Sequence, residues 1–219
     1  MRRLNVDRVL ARQENESSMM DGEDSSGRVH DITYRIASAV RALRTHKRLS
    51  LEDLARESGV SRSMLSLIER GESSPTAIVL EKIATALGVP LASLFENPSA
   101  RASPVSRRAD RTPWRDPQAG YQRWNISPPG FPSPIQIIDV IFPPHAKVAF
   151  ETGAREPEVH QQIWVKDGQM EVTLGSVTYS LSKGDCLAMK LDRPITYRNR
   201  TDKPANYVVV IAFAGAITE

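Results

Sequence analysis

The residues best placed for chemistry in this 219-residue chain are Arg62 and Ser63, two polar side chains at the start of a predicted short helix. An arginine can donate two hydrogen bonds to O6 and N7 of a guanine, and a serine hydroxyl adapts to several base edges. Both side chains must be exposed to reach those edges. Side chains of this type at a helix start could contact bases in the major groove if the surrounding helices present that helix to DNA.

The sequence offers little for catalysis. It holds a single cysteine, Cys186, and neither a convergent pair of catalytic carboxylates nor a phosphate-binding loop. The lone cysteine excludes an internal disulfide bond and fits a reducing compartment. We therefore expect a binding protein and not an enzyme.

Composition narrows the class of partner. The formal net charge is +3 and the pI is about 9.1, a mild basicity that permits nucleic-acid binding without demonstrating it. The longest apolar run, Tyr207–Ile217, is too short to cross a membrane and is typical of a buried strand. No apolar run follows the basic start Met1-Arg2-Arg3. We expect a cytoplasmic protein without a membrane segment.

The polar helix start belongs to a pair of short helices within residues 49–71. Each has one apolar face, made of Leu51, Leu54 and Ala55 in the first helix and of Met64, Leu65 and Ile68 in the second. Gly59 follows the first helix, where a left-handed residue is favoured, and Ser61 is positioned to cap the second. A purely structural hairpin would share this pattern. The small Ala55 at the crossing, the glycine turn and the arginine-bearing start favour a DNA-reading helix-turn-helix.

Further helices are predicted on both sides of this pair. Before it, one face carries an apolar stripe of Ile32, Ile36, Ala39, Val40 and Leu43. After it, Thr76 caps a helix that ends at Gly88, and Pro90 opens a last short helix over residues 91–95. The five helices predict one compact domain whose core holds Leu65, Ile68, Leu80, Ile83, Leu87, Leu94 and Phe95.

The segment from Ile32 to Phe95 resembles the lambda-repressor-like helix-turn-helix family, also called the XRE family. The resemblance rests on Leu51-Glu52-Asp53-Leu54-Ala55, Gly59-Val60-Ser61, Ser66-Leu67-Ile68-Glu69-Arg70-Gly71 and Leu80-Glu81-Lys82-Ile83-Ala84 through Ala86-Leu87-Gly88-Val89-Pro90. It implies that bases are read by Arg62, Ser63, Ser66 and Leu67. Phosphates are expected at Ser50, at the helix start at Leu51, and along a loop with Arg70, Ser73, Ser74 and Thr76. Arg44 and Glu69 occupy the positions of a buried structural ion pair.

The chain divides into four predicted parts. Residues 1–30 lack a hydrophobic period and are expected to form a disordered extension. Residues 31–95 form the DNA-binding domain, residues 96–117 a basic, proline-rich linker, and residues 118–219 a second domain. The linker arginines either contact phosphates or only keep an exposed tether soluble, and the sequence leaves both open.

In the second domain the apolar period changes to two, which predicts β-strands. Eight are predicted: Pro134–Phe142, Ala146–Phe150, Gln161–Asp167, Gln169–Leu174, Val177–Leu181, Cys186–Lys190, Ile195–Asn199 and Tyr207–Phe213. Asp167-Gly168 predicts a tight hairpin between the third and fourth. Their order resembles a cupin, a double-stranded β-helix jelly roll, over residues 135–214, anchored by Trp164-Val165-Lys166-Asp167-Gly168, Gly184-Asp185 and Arg193-Pro194 followed by Asn199. The expected fold class is multidomain α plus β, a five-helix domain followed by a cupin barrel.

This resemblance also implies where a cupin would bind metal. Counted back from Gly168, the ligand positions fall on Arg155 and Pro157 or on Ala154 and Glu156, on Gln161 and, in the second motif, on Ile195. Only Glu156 suits a metal ion. His160 adjoins Gln161 and points to the opposite face of a regular strand. We expect neither a metal nor a cofactor, and a metal site could be rebuilt only through His145, His160 or Glu156.

A barrel without a metal can still hold a small molecule. The polar side chains nearest the expected metal position are Arg155, Gln161 and Tyr197. Arg155 suits a carboxylate or phosphate group of an effector, or else it lies on a mobile loop without that role. A barrel that serves only to dimerise is a further alternative.

Together these features predict a sequence-specific transcriptional regulator. We expect a homodimer that presents two recognition helices about one DNA turn apart to a near-palindromic operator in double-stranded DNA. The barrel is expected to bind a small-molecule effector or to dimerise. Two alternatives stay open, a metal-dependent cupin enzyme tethered to DNA and a DNA-binding antitoxin.

Overall fold

The helical part of the molecule precedes the β part, as predicted. The structure is a computed structural model that describes residues 24–95, 103–153 and 158–213, with the backbone alone for residues 24–31. Its helices are α1 (Asp24–His46), α2 (Leu51–Ser58), α3 (Arg62–Glu69) and α4 (Ala77–Ala86), and two 3-10 helices, η1 (Leu91–Phe95) and η2 (Arg108–Asp110).

The helix bounds differ from the prediction at both ends of the helical domain. Residues 91–95 form a 3-10 helix, so the described domain has four α-helices and not five. A segment of five residues can make few of the longer α-helical hydrogen bonds, and short 3-10 turns are common there. Helix α1 begins at Asp24, before the expected start at Asp31, so residues 24–30 are helical. The rest of the predicted disordered extension, residues 1–23, lies outside the described residues.

Local capping sets the start of each short helix. Ser61 accepts a hydrogen bond from the Met64 backbone N–H at 3.2 Å, and Thr76 accepts one from the Val79 N–H at 3.4 Å. Gly59 ends α2 with φ = 66°, the left-handed conformation that glycine adopts without strain. The caps predicted at these three residues are confirmed.

The core of the helical domain is largely as predicted. All seven predicted core residues are buried, with 0–7% exposure. Met64, which was predicted on the apolar face of α3, is 36% exposed, because the buried face is centred between Leu65 and Ile68 and Met64 lies at its edge. The ion pair between Arg44 and Glu69 is confirmed, with the guanidinium donating to both carboxylate oxygens at 2.6 and 2.9 Å.

The described residues of the β part form ten strands: β1 (Trp114–Arg115), β2 (Gln122–Asn125), β3 (Ile135–Phe142), β4 (Lys147–Phe150), β5 (Val159–Asp167), β6 (Gln169–Leu174), β7 (Val177–Ser182), β8 (Cys186–Lys190), β9 (Ile195–Arg198) and β10 (Ala205–Phe213). A six-stranded sheet has the order β1-β2-β3-β10-β5-β8, and a four-stranded sheet has the order β4-β9-β6-β7. All the pairings are antiparallel. The eight predicted strands are present, and β1 and β2 are additional.

The predicted hairpin at Asp167-Gly168 is wrong. Strands β5 and β6 belong to different sheets and do not pair with each other. Gly168 has φ = 80°, and a Cβ atom at this position would lie 2.6 Å from the Pro204 carbonyl oxygen. The glycine therefore forms a corner at which the chain passes from one sheet to the other against a neighbouring backbone.

The two domains are joined by residues at the end of the predicted linker. The Trp114 ring is buried, with its centroid 5.3 Å from that of Phe95 and 5.8 Å from that of Tyr121. The buried Asp116 carboxylate accepts a hydrogen bond from the Ala77 backbone N–H at 2.7 Å, at the start of α4, and others from the Gln118 and Ala119 N–H groups. The predicted linker therefore ends in a packed interdomain junction. The sequence did not indicate this junction, because residues 96–117 show no apolar period.

Replacing Asp116 by Ala should lower the free energy of unfolding by about 1–3 kcal/mol, because buried N–H donors lose their charged acceptor. The measurement is urea-induced unfolding followed by circular dichroism. Asp110→Ala, at an exposed aspartate of η2, is the control and should leave the midpoint unchanged. Equal midpoints for the two variants would contradict the junction role of Asp116.

Gly168→Ala should destabilise the barrel more than Gly184→Ala. Both glycines have a left-handed φ, but an added Cβ meets the Pro204 carbonyl at the first position and nothing within 4 Å at the second. Left-handed strain alone costs about 1–2 kcal/mol, and the close contact adds about 1–3 kcal/mol. Thermal unfolding of the two variants measures the difference, and equal losses would exclude a steric role for the Pro204 contact.

Candidate nucleic-acid interface and barrel chamber

Helix α3 presents one face to solvent and the other to the domain core. Leu65 and Ile68 are buried. The opposite face carries Arg62 and Ser63, which are exposed, and Ser66 and Leu67, which are half-buried. The helical period of 3.6 residues places these four on one side. The four predicted base-reading residues thus share a surface, and their contact with DNA stays a prediction.

The Arg62 guanidinium is held only weakly. Its side chain is 67% exposed, and its Nε lies 3.6 Å from Oε2 of Glu52, itself 77% exposed. An exposed ion pair of this length contributes little to stability. The arginine can therefore leave Glu52 for a guanine edge at small free-energy cost.

The loop after α3 makes its own polar contacts. The Arg70 guanidinium donates to the Ser66 hydroxyl and, at 2.7 Å, to the Glu72 carboxylate. The hydrogen bond with Glu72 raises the pKa of Arg70 and lowers the pKa of the Glu72 carboxyl. The Ser73 hydroxyl lies 3.6 Å from Sδ of Met64. The expected phosphate contacts of Arg70, Ser73, Ser74 and Thr76 stay predictions.

The start of α2 already holds a carboxylate. Ser50 and Asp53 form a reciprocal capping box, in which Ser50 Oγ accepts from the Asp53 N–H and Asp53 Oδ2 accepts from the Ser50 N–H, both at 3.0 Å. Hydrogen bonds from the Ser50 hydroxyl, the Ser50 N–H and Arg56 lower the pKa of Asp53 to about 2. A phosphate held at Ser50 and Leu51, which stays a prediction, would share this helix start with a negative charge.

Between the two sheets lies a chamber of about 500 Å³. Two of the predicted pocket residues meet on its wall, where Nε2 of Gln161 donates a hydrogen bond to the Tyr197 hydroxyl at 2.8 Å. Both side chains are buried, and burial raises the pKa of Tyr197 to about 12. The third, Arg155, lies outside the described residues. Most of the remaining wall is apolar, with Ile138, Val140, Phe142, Val209 and Ile211 among its side chains.

The helical domain also contributes to the chamber. Glu81 and Thr85 of α4 line it, as does the segment Gly88–Leu91 that leads into η1. Nearby, the Asn125 amide donates to the Ala92 carbonyl oxygen at 3.2 Å. The chamber is therefore bounded by both domains, a feature that the sequence did not predict.

Arg123 of β2, which the sequence analysis missed, is a charged residue on the chamber wall, as is Glu81, and it also lines a second cavity beside Phe95. The side chain is 7% exposed, with Cζ 4.6 Å from the centroid of the Phe95 ring. Its Nη2 lies 3.5 Å from Oδ1 of Asn125, and its Nε has no hydrogen-bond partner among the described residues. Burial lowers the pKa of the guanidinium. Burial disfavours the charged form of tyrosine as well, so it raises the pKa values of Tyr121 and Tyr207, two other chamber residues.

The candidate metal residues are dispersed. As predicted, His160 points away from Gln161 on β5; it is exposed, with Nε2 3.4 Å from the Glu158 carboxylate. His145 lies 2.9 Å from the Asp202 carboxylate at another exposed site. Within residues 24–95, 103–153 and 158–213 no three His, Cys, Asp or Glu side chains are grouped to hold a metal ion. Positions 154–157, including Glu156, are outside those ranges. Among the same residues, no helix has the length and apolar character needed to cross a membrane.

Comparison with known proteins supports the division into two domains. Residues 40–94 match the helix-turn-helix family, and residues 140–211 match the cupin domain family. The HTH-type transcriptional regulator SutR of Escherichia coli is 28% identical over 198 residues, which cover 84% of this chain and 98% of that protein. The uncharacterized HTH-type transcriptional regulator y4dJ of Sinorhizobium fredii is 41% identical over 59 residues, 27% of this chain and 77% of that protein.

A solved structure agrees with these matches over both domains. The crystal structure of a helix-turn-helix family transcriptional regulator from Vibrio cholerae is 26% identical, with a TM-score of 0.67 over 84% of this chain and 98% of that chain. These matches agree with the local geometry of α2 and α3, which is that of a helix-turn-helix. The chain belongs to the XRE family of helix-turn-helix transcriptional regulators and carries a C-terminal cupin domain.

Proposed function

We propose that this regulator binds a near-palindromic operator as a homodimer, reads bases through α3 and takes a small-molecule effector into the barrel chamber. The observation that carries the proposal is the outward face of α3, where Arg62 and Ser63 are exposed and Ser66 lies one turn along. This arrangement suits insertion of a recognition helix into the major groove. We expect the protein to act in the cytoplasm, on the DNA that it regulates.

Homodimerisation has support from a partly apolar surface on the six-stranded sheet, which also carries the Asp139–Lys166 ion pair. Trp164 of β5 is 50% exposed and Ile141 of β3 is 39% exposed, and both point away from the barrel interior. Val208 of β10 lies directly opposite Trp164 in the sheet. Exposed apolar patches of this kind are typical of protein interfaces. Pairing two copies through this face would give the twofold symmetry that a palindromic operator requires.

The chamber supports an effector-binding role. Its apolar walls and few converging polar groups are typical of small-molecule sites. The rival, a metal-dependent enzyme tethered to DNA, has less support because the expected ligand positions 161 and 195 hold glutamine and isoleucine. The other alternative, a DNA-binding antitoxin, has less support because it assigns no role to the cupin domain.

Arg62→Ala should reduce discrimination at one operator position by about 1–3 kcal/mol, because a bidentate contact to a base is lost. The measurement is selection of randomised duplexes by the purified protein, followed by sequencing. Arg200→Ala is the matched control, since Arg200 is also exposed and ion-paired, at 2.7 Å to Glu171 in the barrel domain. If Arg62→Ala selects the same sequences as the wild type, Arg62 is not a base reader.

Trp164→Glu should convert the dimer to a monomer, because the charged side chain would be buried without a partner. Sedimentation equilibrium measures the mass, and operator titration measures the accompanying loss of DNA affinity. Val105→Glu, at an apolar residue that is 54% exposed outside the sheet, is the control and should stay dimeric. A Trp164→Glu protein that remains dimeric would exclude this face of the sheet as the interface.

A further inference from the structure

We propose that the chamber binds an organic anion, a molecule with an apolar body and one acidic group, and that the Arg123 guanidinium holds the acidic group. The inference rests on the proposed role of the chamber as the effector site and names the chemical class of the effector. It further assigns to Glu81, on the same chamber, the role of a negative charge that opposes binding of the anion.

The first argument is the state of Arg123. A buried guanidinium is normally paired with a carboxylate or fully hydrogen-bonded, because removing its charge from water is unfavourable. Here Nη2 makes a long hydrogen bond of 3.5 Å to the Asn125 amide oxygen, and Nε has no hydrogen-bond partner among the described residues. An incoming carboxylate would supply the acceptors that this side chain lacks, in the bidentate geometry that arginine favours.

The second argument is the surface that surrounds the guanidinium. Val140 lies directly opposite Arg123 in the sheet, and Tyr121 and Tyr207 line the same chamber. The Gln161–Tyr197 pair supplies further polar groups on the same chamber. A volume of about 500 Å³ accommodates a molecule with a substantial apolar body. A small inorganic anion would leave most of this apolar surface uncovered.

The third argument connects the chamber to the DNA-binding domain. Glu81 on α4 lines the same chamber as Arg123. An anionic ligand at Arg123 would repel this carboxylate within the chamber. Helix α4 packs against α2, the first helix of the DNA-binding pair, and its first N–H is held by Asp116 of the junction. Displacement of Glu81 would therefore change how the helix pair is held against the barrel.

The test uses the full-length protein and two probes that differ only in charge, octanoate and 1-octanol, titrated by calorimetry. Octanoate should bind at least about tenfold more tightly, because a charge-assisted hydrogen bond is gained. Arg123→Met should abolish the preference while octanol binding is retained, and Arg123→Lys should keep part of it. Unchanged octanol binding and circular dichroism show that the Met variant remains folded.

A second measurement tests the repulsion by Glu81. Glu81→Gln should bind octanoate several-fold more tightly than the wild type. In the wild type, octanoate should change operator affinity, and in Glu81→Gln that response should be diminished. Glu57→Gln, which removes the same charge from an exposed residue of α2 outside the chamber, is the control and should leave the octanoate affinity near that of the wild type.

The outcomes separate this inference from the proposed function. Equal binding of octanoate and octanol, or a preference that survives Arg123→Met, overturns the anion site and leaves an effector chamber standing. If neither probe binds and Val209→Phe, which fills the chamber, leaves operator affinity unchanged, both the anion site and the effector role are overturned. Operator selection by α3 is measured independently and is affected by neither result.

Discussion

The arrangement of this molecule depends on a carboxylate of one domain that caps a helix of the other. Asp116 follows β1 and accepts a hydrogen bond from the first N–H of α4 at 2.7 Å. Helix starts leave N–H groups without intrahelical partners, and a negative charge there is favourable. Trp114 lies beside it, against Phe95 of η1 and Tyr121 of the barrel. One charged contact and one aromatic cluster thus position the helical domain against the sheets.

The chamber is a consequence of that junction. The sheets supply its apolar walls, but Glu81, Thr85 and the turn Gly88–Leu91 come from the helical domain. A ligand in the chamber would therefore touch both domains at once. Helix α4 also packs against α2, the first helix of the helix-turn-helix pair. The chamber proposed for the effector and the helix pair proposed for DNA binding are thus connected through α4.

The environment of Arg123 is unfavourable for folding but suits the binding of a ligand. An interior guanidinium with an unsatisfied Nε is unfavourable for folding, and the Phe95 ring beneath it compensates only in part. Groups held in this way are common at binding sites, since a ligand can complete their contacts. The contrast with Arg44 is informative, because that arginine has both oxygens of Glu69 as acceptors and serves the fold.

The sequence by itself determined the features that depend on neighbours in the chain. The caps at Ser61 and Thr76, the left-handed Gly59, the apolar faces of the helices and the alternation of Gln161 and His160 all follow from local geometry. Tertiary structure decided the rest. Gly168 looked like a hairpin turn but joins two sheets, because the strands that pair with β5 lie far along the chain. The sequence did not single out Arg123, which is buried against the Phe95 ring of η1 and beside Val140 of β3. Burial and pairing across such distances are set by packing, which no local pattern of residue types encodes.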